Sequence, residues 1–91
     1  MNTGYNQNVL FRGEVYHLQT EDGGQANPVV TTLLFKGGSV LASKKVSYAE
    51  MTLSGDIGAA VRSIMTEQHA TMLRDLKAGF FHKENNDKEN Q

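Results

Sequence analysis

The run from Val29 to Tyr48 limits the fold more than any other part of this chain. It holds two strand-like stretches joined by Lys36-Gly37-Gly38-Ser39, with apolar residues on both of the faces they would present. Gly37-Gly38 supplies the two positive-φ positions that a type I′ turn demands, so the spacing predicts a two-residue hairpin. A loop of that length fixes the pairing. One face sets Phe35 opposite Val40, Leu33 opposite Ala42, Thr31 opposite Lys44 and Val29 opposite Val46. The other sets Leu34 opposite Leu41, Thr32 opposite Ser43 and Val30 opposite Lys45. The first set is the more continuously apolar, which assigns it to the chain's own helix. The second carries Leu34 and Leu41 beside small hydroxyls and is left to pack against a copy of itself.

Size sharpens that conclusion. The chain has 91 residues, and a chain this short buries a smaller fraction of its surface than a larger domain does. Residues 1–8 are polar and residues 82–91 form an Asn/Lys/Glu run, so both read as disordered tails and residues 9–81 as a single α+β domain. No cysteine is present, which removes a disulfide framework and a thiolate zinc site from the means of stabilising it. Self-association is the remaining supplement. The net charge of -1, with basic residues interspersed among acidic ones, excludes the electrostatic footprint of a nucleic-acid binder. No stretch approaches the roughly 20 apolar residues a membrane span needs. With no N-terminal signal pattern, a cytoplasmic location is expected.

Residues 9–20 read VLFRGEVYHLQT and predict a strand interrupted at Gly13, either bent or split in two. The stretch from Glu21 to Pro28 is a turn-rich connection. After the hairpin, Ser47-Tyr48-Ala49-Glu50 has capping-box spacing, which predicts one helical turn ended by Ser54-Gly55. From Asp56 the helical period is clear: Ile57, Val61, Ile64, Met65, Gln68, Met72, Leu73 and Leu76 recur at three- and four-residue steps. Ser54 or Asp56 caps its start, and Gly79 suits the positive-φ position after its end. A helix from Asp56 to Ala78 is about 34 Å long, against about 27 Å for a strand of eight residues. Part of it is therefore expected to overhang the sheet. Phe80 and Phe81 then fold back over the helix end, or cross to a second chain.

Candidate chemistry is sparse. His17, Gln19 and Glu21 alternate along one strand face, and His69 lies on the apolar side of the helix. Packed together, His17, Glu21 and His69 would make a small metal or acid–base site. No pair of them has the helical or turn spacing that metal ligands favour, and the competing reading is of hydrogen-bonded structural histidines. Gln68 and His69 interrupt the apolar stripe as a register-fixing polar pair does, although residues at the edge of the stripe, near solvent, would look the same. No serine or glycine pattern marks a nucleophile or a phosphate loop. No cofactor is expected.

The segments Tyr16-His17-Leu18-Gln19-Thr20-Glu21-Asp22, Pro28-Val29-Val30-Thr31-Thr32, Gly37-Gly38, and Glu67-Gln68-His69 before Met72-Leu73 carry a resemblance. Over residues 11–79 the layout resembles a small bacterial family without assigned activity. In size, and in lacking catalytic residues, the chain is also similar to RomX-like polarity adaptors, which work with a response regulator on a Ras-like GTPase. That resemblance implies an adaptor role and a protein partner, and contributes no site residue.

The expectation is thus an α+β fold, an antiparallel sheet of three to four strands with one long C-terminal helix packed on one face. The expected role is a non-enzymatic interaction module, a homodimer that also engages another protein. Its contacts would come from Leu34 and Leu41 on the sheet, Met65, Met72 and Leu76 on the helix, and Phe80 and Phe81 beyond it.

Overall fold

Two tight turns build the sheet. In the computed structural model, which describes residues 4–53 and 56–81, Gly37 and Gly38 have φ of 62° and 84° and close the expected hairpin. Arg12 and Gly13, with φ of 52° and 80°, close an earlier one. Both loops therefore have the positive φ at each central residue whose twist matches that of paired strands. The four strands are β1 (Tyr5–Phe11), β2 (Glu14–Asp22), β3 (Val29–Lys36) and β4 (Ser39–Ser47). They pair antiparallel in sequence order. Residues 9–20 are thus two strands folded back on each other, and the hairpin sets Val9 opposite Tyr16. The first strand also begins at Tyr5, so residues 5–8 belong to the sheet and not to a tail. The expected tails at 1–3 and 82–91, and the break at Ser54-Gly55, lie outside the described residues.

A short 3₁₀ turn (Ala49–Leu53) leads to the single helix, α1 (Ile57–Lys77). Ser47 Oγ accepts from the Ala49 amide at 3.3 Å as that turn begins. Asp56 caps α1 by accepting from the Ala59 amide at 3.1 Å. At the other end the Gly79 amide donates to Leu76 and the Phe80 amide to Asp75, with Gly79 at φ 88°. This is the Schellman pair of bonds, and it satisfies carbonyls that a helix end otherwise leaves open.

The helix lies across one face of the sheet and is covered along its whole length. Ile57 and Val61 pack with Val30, Tyr48 and Met65 at one end. Met72 and Leu76 pack with Val9, Tyr16, Leu18 and Leu34 at the other, where Phe81 folds back onto the same cluster. No overhang results, because β2 and β4 each reach nine residues, about 30 Å at 3.3 Å a residue. The 21 residues of α1 span about 31 Å.

The hairpin faces are the reverse of the sequence assignment. Val30, Thr32 and Leu34 are fully buried beneath α1, while Val29, Thr31, Leu33 and Phe35 face outward and are only partly covered. The register also shifts by one residue: Phe35 does oppose Val40, but Leu34 opposes Ala42 and Val30 opposes Val46. Leu41 is left as the extra residue of a bulge. Apolarity judged on two strands could not choose the face, because β2 decides it. Leu18 pairs with Leu34 and Thr20 with Thr32, so the buried side of β3 is the side continuous with Tyr16, Leu18 and Thr20.

Candidate interaction surface

Between the two apolar clusters runs a polar layer. Gln68, 7% exposed, points its amide nitrogen at the Val30 and Lys44 carbonyl oxygens and at Thr32 Oγ1, each at 3.1 Å. Thr32 Oγ1 lies 2.7 Å from Thr20 Oγ1, which lies 2.8 Å from His69 Nδ1. His69 Nε2 is 2.8 Å from Gln7 Oε1, and the Tyr5 ring stands edge-on to the imidazole. Two backbone carbonyls fix which way the Gln68 amide faces. The protons then order themselves in one direction. Gln68 N–H donates to Thr32, Thr32 O–H to Thr20, Thr20 O–H to Nδ1 of a neutral His69, and Nε2–H to Gln7. Burial holds His69 below the ordinary histidine value, in keeping with a neutral ring. Gln68 Oε1 has no hydrogen-bond partner among the described residues.

This layer corrects two expectations. Gln68 does not sit at a solvent-lapped margin but is buried and ties α1 to β3 and β4, whereas His69 lies half-buried at the edge of the stripe and ties α1 to β2 and β1. The metal reading fails on geometry, since His69 is bonded to Thr20 on the helix side, whereas His17 and Glu21 alternate with Thr20 and face away. Among the described residues no group of three or more His, Cys, Asp or Glu side chains could hold a metal ion. Nearby, the Tyr48 hydroxyl donates to Asp22, which also accepts from the Gly24 amide. Burial, and then the Asp22 carboxylate, push the Tyr48 phenol up to about 12.

The outer face of the sheet has no element laid over it among the described residues. Leu10 is 71% exposed, Val15 60% and Val40 54%. Leu10 pairs with Val15, and Phe35 with Val40, so these residues gather at the end of the sheet near the two tight turns. Phe35 joins them to His17, the two rings 5.9 Å apart, and His17 is held by Asn8 at 3.0 Å. Leu33 continues the patch along β3. The opposite end of the same face is polar: Glu21, Thr31 and Lys45 stand in one row across β2, β3 and β4.

Of the contact residues named from sequence, Leu34, Met65, Met72 and Leu76 are at most 6% exposed and form the chain's own core. They have nothing to offer a partner. Phe81 is half-buried against that core, while Leu41, 42% exposed at the bulge, and Phe80, 68% exposed, remain accessible. Sequence reasoning missed Leu10, Val15, Phe35 and Val40. Their signal was present in the alternation of each strand, but it becomes readable only once Arg12-Gly13 is recognised as a turn. No helix among the described residues is long and apolar enough to cross a membrane. No family model, curated relative or solved structure matches the chain.

Proposed function

We propose that this chain is a non-enzymatic docking module that self-associates through the outer face of its sheet. The observation carrying this reading is the cluster of exposed Leu10, Val15 and Val40 with the partly covered Phe35 among them, on a face that α1 does not cover. Scattered exposed apolar residues need no explanation, but a contiguous patch on a small domain marks a contact surface. The interior supports it from the other side. His69, the histidine packed under the sheet, is committed to the polar layer, and the alternative site built on it with His17 and Glu21 is split by the sheet.

Dilution tests the reading by residue. In amide spectra of the full chain recorded at rising concentration, signals of Val15, His17, Phe35 and Val40 should shift together while those of Arg62, Ser63 and Arg74 on the far side of α1 stay fixed. Val15→Lys should abolish the shifts without unfolding the chain, since that side chain is already 60% exposed. Shifts confined to α1, or to the edge of β1 or β4, would place the contact elsewhere. A stable complex with a GTPase-associated protein in place of self-association would favour the adaptor reading.

A further inference from the structure

From the distribution of apolar and charged residues on the outer face, and resting on the docking reading above, we infer that two copies pack face to face about a two-fold axis running along β3, with Glu21 of each copy against Lys45 of the other. A closed homodimer of this kind uses the same patch on both copies. Two orientations of the axis within the interface are distinct. An axis across the strands would lay each strand on its own counterpart, apolar end over polar end, setting Val15 near Glu21, Phe35 against Thr31 and Val40 against Lys45. An axis along the strands lays like on like, and the gradient along the face selects it.

Strand order then fixes the rest. With the axis over β3, β2 of one copy lies on β4 of the other. In the row Glu21, Thr31, Lys45, the acid of one copy faces the base of the second, twice per dimer. In the row Gln19, Leu33, Ser43, the two Leu33 side chains meet at the axis and an amide faces a hydroxyl. In the row His17, Phe35, Val40, the two Phe35 rings meet and His17 lies on Val40. No row sets like charges together. Aligned sheets pack at about 30° to each other, so these rows superpose best near the axis, where Leu33 and Phe35 stand.

The area sets the strength. About this axis β1 has no facing strand, so three strands, β2, β3 and β4, at about 4.8 Å spacing and about 25 Å of their length present on the order of 350 Å² a side. About 700 Å² in total falls below the size of stable specific interfaces and implies a weak, readily reversible dimer. In a contact that small, two symmetric ion pairs are a sizeable share of the preference for one arrangement, and they govern specificity and register.

Charge exchange provides the test, read as the dimer dissociation constant of the full chain by sedimentation equilibrium. Glu21→Lys and Lys45→Glu, both at exposed positions, should each raise it about tenfold at low salt, since each replaces two attractions by two repulsions. The double variant, Glu21→Lys with Lys45→Glu, should return it to within about twofold of the wild type by restoring both pairs. Added salt should weaken the wild-type dimer and the double variant alike. Single variants that dimerise like the wild type, or a double variant that fails to recover, would overturn this pairing while leaving the outer-face contact standing. A wild-type chain that never dimerises would overturn both.

Discussion

Protonating His69 would reverse two hydrogen bonds and strand a hydroxyl proton. A second ring proton on Nδ1 would face Thr20 Oγ1, forcing the Thr20 proton toward Thr32 and leaving the Thr32 proton against the Gln68 amide, itself a donor. The folded state therefore resists protonation at a ring that burial already holds below 6.5. Because the unfolded chain binds that proton more readily, the contribution of this group to stability is intact above about pH 6.5 and is lost as pH falls toward the folded value. Urea midpoints should fall between about pH 7.5 and pH 5 in the wild type and fall less in His69→Gln. An unchanged slope in the variant would mean that His69 does not carry the dependence. The sequence exposed Gln68 and His69 as breaks in an apolar stripe. It did not show that two threonines, one on each of two neighbouring strands, lay opposite them, since that depends on the register of β2 with β3.

Turns and caps decide the elements. Gly37-Gly38, Asp56 and Gly79 were each legible because a particular backbone need selects a particular residue type there. The Arg12-Gly13 hairpin was not, since arginine seldom occupies the left-handed region and a lone glycine also fits a bulge. Missing it inverted the relation between Val9 and Val15, which a continuous strand would place on one face and the hairpin places on opposite faces. Arg12 is held there by its stacking over Phe11, 4.9 Å from the ring centre, and its guanidinium also lies beside Gly79. Two substitutions separate conformational need from contact. Gly37→Asn, in open space at φ 62°, should stabilise by up to about 1 kcal/mol through the unfolded state. Gly79→Ala, at φ 88° with the Arg12 guanidinium 3.5 Å from the added methyl, should destabilise by about 1 to 2 kcal/mol. Denaturant midpoints at constant m-value check both, and equal effects of the same sign would refute the assignment of these φ values.

At the scale of the molecule, the α+β architecture was legible from two periodicities, and so was the presence of apolar residues on both faces of the β3–β4 hairpin. Which side α1 takes was not legible. The choice rests on β2, whose Tyr16, Leu18 and Thr20 continue the Val30, Thr32 and Leu34 side of β3, and on the match of Thr20 and Thr32 to Gln68 and His69, so the side of the β3–β4 hairpin that is less apolar on its own goes inside. That exchange moved the candidate contacts from Leu34, Met65, Met72 and Leu76 to Leu10, Val15, Phe35 and Val40. It also leaves apolar residues on the outer face while Leu34, Met65, Met72 and Leu76 complete the core. Sedimentation equilibrium of the full-length chain tests this most directly. From about 1 µM to about 500 µM, a range that brackets the affinity of a small interface, the weight-average mass should climb from 10.0 kDa toward twice that value. A mass that stays at 10.0 kDa throughout would contradict it.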